Sequence, residues 1–417
     1  MARDRRVIWL VITVVMHCPY MANAGTKQIP PTLDSTQIKT IIRSADPFDT
    51  LLFLDGHYYI HDIIIDKPLT ILSNGNVILD GEGKYEIMVI SAKKVNVFNL
   101  DFINSGYSSL NDYAAIKLIN CSEVVISNNR IKNAFFAIHI SNSTHIRVHQ
   151  NTIEGNAYSE QLNGNAVHAW KCSHLLIENN ILSRHRDGIY LEFVSNSVIR
   201  ENSSFMQMRY GLHFMFSNDD LYENNTFCKN GAGVAVMYSK NVKMVKNTFI
   251  QNIGSSAYGL LLKDITDSEI NHNAFLQNTK GIDMEGSNRI KIEFNTFEDN
   301  GWGLAIQASC MDNIINRNNF INNSFDVSTN GRVILNKFDQ NYWDRYTGYD
   351  LNKDSTGDVP HRPLSFMSTL MEQSQGILIL MNSFIIHLFE KLERIIPTLT
   401  PEDFIDLNPS MHAYSIN

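Results

Sequence analysis

The stretch 225–249, NTFCKNGAGVAVMYSKNVKMVKNTF, begins and ends on the same three residues, and that return decides the fold. Its marker is an Asn followed two places on by an apolar residue. The marker stands at Asn129, Asn151, Asn225, Asn247, Asn273, Asn295, Asn318 and Asn336, with looser matches at Asn180 and Asn202. Successive spacings are 22, 29, 22, 23, 22, 26, 22, 23 and 18 residues. A second marker keeps phase with the first. A small residue opens a short alternating run at Ala115, Ala137, Ala166, Gly188, Gly211, Gly233, Gly259, Gly281 and Gly303. The two long intervals contain Gly/Ser/Asn-rich inserts near 155–164 and 254–258, the composition of surface loops.

A period of about 22 excludes TPR and ankyrin repeats, which need 33–34 residues and helices, and the leucine pattern of leucine-rich repeats is missing. The rungs hold β-rich runs such as Ile189-Tyr190-Leu191, punctuated by Asn and Gly. Three short strands and three turns fill one coil, and coils stack at ~4.8 Å. The expectation is an all-β, right-handed parallel β-helix of the pectate-lyase-like kind. Asn suits the turns because it tolerates the left-handed conformation, and stacked Asn amides can bond along the axis. Strand alternation places Leu212, Phe214 and Phe216 inward, and His213, Met215, Tyr190, Glu192 and Met237 outward. Cys121 and Cys172 fall two coils apart, ~9.6 Å, beyond the roughly 7 Å that a disulfide spans. Cys228 and Cys310 lie further off, so four free thiols are expected.

The ends differ from the middle. Arg3, Arg5 and Arg6, the apolar run Val7–Met16 and Ala22-Asn23-Ala24 read as a secretory signal over residues 1–24. Cys18 lacks the small residues that precede a lipidated cysteine. Residues 25–110 are expected to form an N-terminal cap and first irregular coils, with a helix over Ser35–Ala45 and a turn at Asp55–Tyr58. The regular repeats then occupy 111–340. Residues 341–417 form a C-terminal loop and a helical capping or docking segment, apolar from Leu364 to Leu399. Deleting Ser365 onward is expected to leave the β-helix folded. A formal net charge of −8 argues against nucleic acid as a partner, and no stretch after the signal reads as a membrane span.

Three consecutive coils carry a resemblance. Residues 187–193 (DGIYLEF), 209–217 (RYGLHFMFS) and 231–239 (GAGVAVMYS) are similar to the signature coils of the NosD family. The likeness extends to Tyr342-Trp343 with Gly348–Leu351, and to the run Gly357–Pro363. The resemblance implies a periplasmic, non-catalytic accessory protein beside an ABC transporter permease and its ATPase, where ATP is hydrolysed. It implies delivery of copper, with sulfur as a second cargo, to the copper centres of nitrous oxide reductase. The implied partners are the permease, the ATPase, a copper chaperone and the reductase, with peripheral membrane association through the permease.

Soft thioether and imidazole groups suit Cu(I). The candidate ligands are His168, His213, Met215, Met237 and Glu192, with Tyr190 and Trp170 on the same face. The alternative for the same residues is a partner-contact patch, since Met and aromatics are enriched at interfaces. Asp350, Asn352, Asp354 and Asp358 alternate like part of a calcium loop, although Ser355 stands where an EF-hand needs Gly and no bidentate Glu follows. A solvated turn is the better reading there. The rival function is a carbohydrate-active β-helix enzyme, a polysaccharide lyase or epimerase, with Arg184, His185, Arg186, Asp187 and Tyr190 along a groove. Carboxylates suited to acid–base work do not cluster clearly. A purely structural surface or adhesion protein is a third class, which the signature coils disfavour.

Overall fold

The computed structural model describes residues 24–108, 111–156, 159–331, 335–365 and 404–415. The signal segment up to residue 23 and the apolar segment 366–403 lie outside them. Each regular coil contains three strands, as in Asp187–Glu192, Val198–Arg200 and Ser203–Phe205. The first strand of each coil joins a twelve-stranded parallel sheet, and the other two join a twenty-five-stranded one, among the described residues. Strand pairing is parallel throughout both sheets, with Ile189, Leu212 and Val234 in register through three coils. The chain is a parallel β-helix.

The Asn marker works differently from its expected role. The marker residues do not adopt the left-handed conformation. The residue before each one does, and it is Glu201, Lys246, His272, Phe294 or Arg317 as readily as Asn. What fixes Asn is the axial ladder. Asn225 Oδ1 accepts from both the backbone N–H and the Nδ2 of Asn202, at 3.0 Å each. Asn247 does the same for Asn225. The Nδ2 group also satisfies a strand carbonyl, as from Asn225 to Ile199 at 2.8 Å. No other side chain of this length supplies a carbonyl and an NH2 group at one buried corner.

The odd final spacing of 18 has a simple cause. Asn318 donates to Asn341 and not to Asn336, which restores an interval of 23. Asn336 belongs to a separate ladder, receiving the N–H of Asn313. The true last rung is Asn341-Tyr342-Trp343, whose indole continues the interior ring stack Phe249, Phe275, Phe297, Phe320 at 4.3 Å from Phe320. The glycine marker marks a close approach. A Cβ on Gly211 would stand 2.8 Å from the carbonyl oxygen of Gly233, and one on Gly259 2.7 Å from that of Gly281.

Helix Ser35–Ser44 forms as expected. Asp34 and Gln37 make a capping box, and Ile38 and Ile42 face the core. Residues 55–58 are not a turn. They continue the strand Thr50–Tyr59, with a register shift between Leu54 and Gly56 against Thr70–Asp80. Phe216 is also corrected. It follows the strand with φ 50°, which turns its ring out to 39% exposure. The four cysteines are free, as the coil spacing requires.

Asp406 and Ser410 pair with the last coil. Phe338 bridges Asp406, and Tyr342 bridges Ser410, both parallel. Asp406 terminates the Asn ladder. One carboxylate oxygen accepts from Asn341 N, Asn341 Nδ2 and Trp343 Nε1 at 2.9–3.1 Å, and the other from Gln340 N at 3.1 Å. Removal of Ser365 onward would strip this cap from the last coil.

Candidate metal and ligand face

The outer surface of the twelve-stranded sheet arranges side chains in columns, one residue per coil. His139, His168, Tyr190, His213 and Ala235 form one column by register. Trp170, Glu192, Met215, Met237 and Lys263 form the next. All five residues singled out from sequence thus share a face, but they do not converge on one point.

His168 and His213 lie on opposite sides of the Tyr190 ring, at 4.9 and 4.8 Å between centroids. Two coils separate them, so one ion cannot take both. His168 instead faces His139, at 4.9 Å, a residue sequence reading missed. The signal was present, since His139 follows Ala137 by two places as His168 follows Ala166. Burial holds both imidazoles below the usual range, His139 at about 4 and His168 at about 3. Both rings are therefore neutral near pH 7, the form that ligates metals.

His213 is engaged elsewhere. Arg209 lies 3.2 Å from Nδ1, and a guanidinium can only donate, so Nδ1 accepts and the ring proton sits on Nε2. Neither nitrogen is free for a metal in this arrangement. The Met column is different. Met215 and Met237 are half-buried neighbours in register, with Glu192 on the coil before. The Met215 thioether sits 3.8 Å from the Tyr190 hydroxyl. Among the described residues, no three His, Cys, Asp or Glu side chains converge as metal ligands. A soft metal on this face would have to draw on the thioethers.

The acidic loop is occupied by its own backbone. Asp350 accepts from the N–H groups of Lys353, Asp354 and Ser355, Asp354 from Thr356, and Asp358 from Leu351. Asn352 accepts from Asp354 and also donates to its carboxylate. These bonds favour the turn over a calcium loop.

The groove proposed for the carbohydrate enzyme does not assemble as a set. Arg184 turns to Glu154 at 3.5 Å, and His185 is wholly buried, its pKa lowered to about 4 by burial. Asp187, Arg186 and Tyr190 do stay together, joined by Arg209 and His213. Tyr190 is pushed up to about 12, chiefly by burial.

Fold and face together define a parallel β-helix protein whose outer sheet carries imidazole, phenol and thioether groups. A family model described as "Periplasmic copper-binding protein (NosD)" matches residues 151–354, the coils that bear this face. The chain is 27% identical over 379 residues to the probable ABC transporter binding protein NosD of Pseudomonas aeruginosa, covering 85% of this chain and 86% of that one. It is 28% identical over 124 residues to the protein of the same name from Stutzerimonas stutzeri, covering 27% of each. Two solved structures share the fold. A hyperthermoactive exopolygalacturonase from Thermotoga maritima has 10% identity and a TM-score of 0.50, covering 75% of this chain and 90% of its own. PfbA, a surface adhesin of Streptococcus pneumoniae, has 12% identity and a TM-score of 0.52, covering 75% and 88%. These matches support membership of the NosD family. Among the described residues, no helix is long and apolar enough to cross a membrane.

Proposed function

We propose that this chain is a periplasmic, non-catalytic accessory subunit of an ABC transporter. In this reading it handles Cu(I), with sulfur as a second cargo, for assembly of the copper centres of nitrous oxide reductase. ATP hydrolysis belongs to the partner ATPase, a copper chaperone delivers the metal, and the permease holds the chain at the membrane. The observation that carries the reading is the Met215–Met237 pair in register within the matched coils. Thioethers are soft donors suited to Cu(I), and Glu192 stands one coil away to offset the charge. The scattering of Arg184 and His185 away from Asp187 weighs against the carbohydrate-enzyme alternative.

A competition titration of Cu(I) against a chromophoric chelator tests this. Met215→Ala/Met237→Ala should lower the affinity at least about tenfold, since both soft donors of the proposed site are removed. His213→Ala should change it little. An affinity unaltered by loss of both thioethers would sink the copper reading and leave the pair as a partner-contact patch.

A further inference from the structure

We propose that Arg186 and Arg209, oriented by Asp187 and joined by His213, form a binding site for an oxyanion, a carboxylate or a phosphate- or sulfate-type group. Arg209 occupies the position of Arg186 one coil on, and the two backbones are bonded, Arg209 N–H to Arg186 O at 2.9 Å. Like charges side by side on adjacent strands are unfavourable. A single buried carboxylate serves both. Asp187 is wholly inaccessible, with Oδ2 3.8 Å from Arg186 Nε and Oδ1 3.5 Å from Arg209 Nε. Its Oδ1 also accepts the N–H of Tyr210 at 3.2 Å, which fixes the carboxylate in place. The nearest other acid, Glu160, is half-exposed and 3.8 Å from Arg209, too far to bond.

The cluster has too many donors. Within these four side chains, Arg186 Nε, Arg209 Nε and His213 Nε2 are shielded from solvent and have no hydrogen-bond partner, against one unpartnered acceptor, Asp187 Oδ2; Asn165 Oδ1, one coil earlier, is a second. His213 can only donate there, because its Nδ1 already accepts from Arg209. Buried donors without partners are rare and destabilising unless something fills the site. An acceptor-rich, negatively charged group drawn in at the guanidinium edges would offset this excess of donors. The guanidinium side chains remain 31% and 37% exposed, so a ligand can reach their outer edges. Planar guanidinium forks fit two-oxygen groups with paired bonds. The same two charges repel a metal cation, which sets this site apart from the thioether pair.

Calorimetric titration of the mature chain with sulfate, phosphate and malonate, at ionic strength fixed with chloride, tests the proposal. At least one of them should bind saturably. Malonate alone would assign a carboxylate ligand, and sulfate or phosphate an inorganic oxyanion. Arg186→Gln and Arg209→Gln should each weaken binding at least about tenfold, and Arg186→Lys, which keeps the charge and the fold but loses the fork, less so. Cu(I) affinity, measured without added oxyanion, should not fall in any of the three. No saturable binding by any of the anions would overturn the proposal, as would wild-type affinity in the double Gln variant. Parallel loss of Cu(I) binding in folded variants would overturn the separation of the two sites.

Discussion

Replacing Asp220 with asparagine should make this protein more stable, and increasingly so as pH rises. Asp220 is 2% exposed and sits inside the solenoid, where Oδ1 accepts the N–H of Ser197 at 2.8 Å. Its neighbour in the core is the fully buried phenol of Tyr222. No cation stands among the influences on Asp220, and desolvation raises its pKa to about 8. In the unfolded chain an aspartate ionises near about 3.9. Between those values the folded state binds the extra proton, so stability falls as pH rises from about 4 to about 8. At pH 7 the gap is about three units, or about 4 kcal/mol at 1.36 kcal/mol per unit. Asparagine keeps the acceptor for Ser197, gains a donor and has no charge to bury. The variant should gain about 2–3 kcal/mol on wild type between pH 5 and pH 7, the part of that slope lying in the window. Urea unfolding followed by far-UV circular dichroism at several pH values measures it. A wild-type-to-variant difference that stays flat from pH 5 to pH 8, or a variant less stable at pH 7, would refute the reasoning.

Two further predictions concern the ladder and its end. Asp406→Ala removes the acceptor for Asn341, Trp343 and Gln340 and should cost at least about 3 kcal/mol in the last coils, at 1–3 kcal/mol for each of three buried orphaned donors. Hydrogen exchange should show lost protection in residues 337–343 while the coils near Asn151 stay protected. Asn247→Ala, in mid-ladder, orphans both the N–H and the Nδ2 of Asn225 and should cost about 2–4 kcal/mol. Asn247→Asp should recover part of this through its remaining acceptor, and equal loss in both would place the effect in packing instead.

The solenoid was legible in sequence because its rules are local. Each coil repeats the problem of the one before, so an Asn at a corner and a Gly at a close approach recur at the coil length. The misreadings have the same origin. Asn336 fits the marker by composition, yet its ladder is set by Asn313, and only the stacked geometry separates the two. Phe216 obeys strand parity up to the residue where the backbone turns left-handed, and parity ends there. Asp406 was invisible for another reason. It lies 65 residues from the Asn it caps, outside the repeat, and nothing in its neighbourhood resembles a rung.

The outer face shows where local rules stop carrying function. Parity correctly put His213 beside Met215, but whether an imidazole can bind metal depends on what holds its other nitrogen. That partner, Arg209, lies just before the strand, at a corner where alternation says nothing about direction. The outcome divides the face by charge. Arg186, Arg209 and the Nε2–H of His213 gather on one side of Tyr190, and the thioethers of Met215 and Met237 on the other. Tyr190 touches both groups, through its ring to His213 and its hydroxyl to Met215. A cation and an anion held on opposite sides of one phenol would attract each other across a short, partly dehydrated distance, where charges are weakly screened. Each ligand should then tighten the other, and the effect must be reciprocal. A tighter Cu(I) affinity in saturating oxyanion, matched by tighter oxyanion binding in Cu(I), would tie the two proposed sites into one device. Affinities that ignore each other would mean the sites only share a sheet.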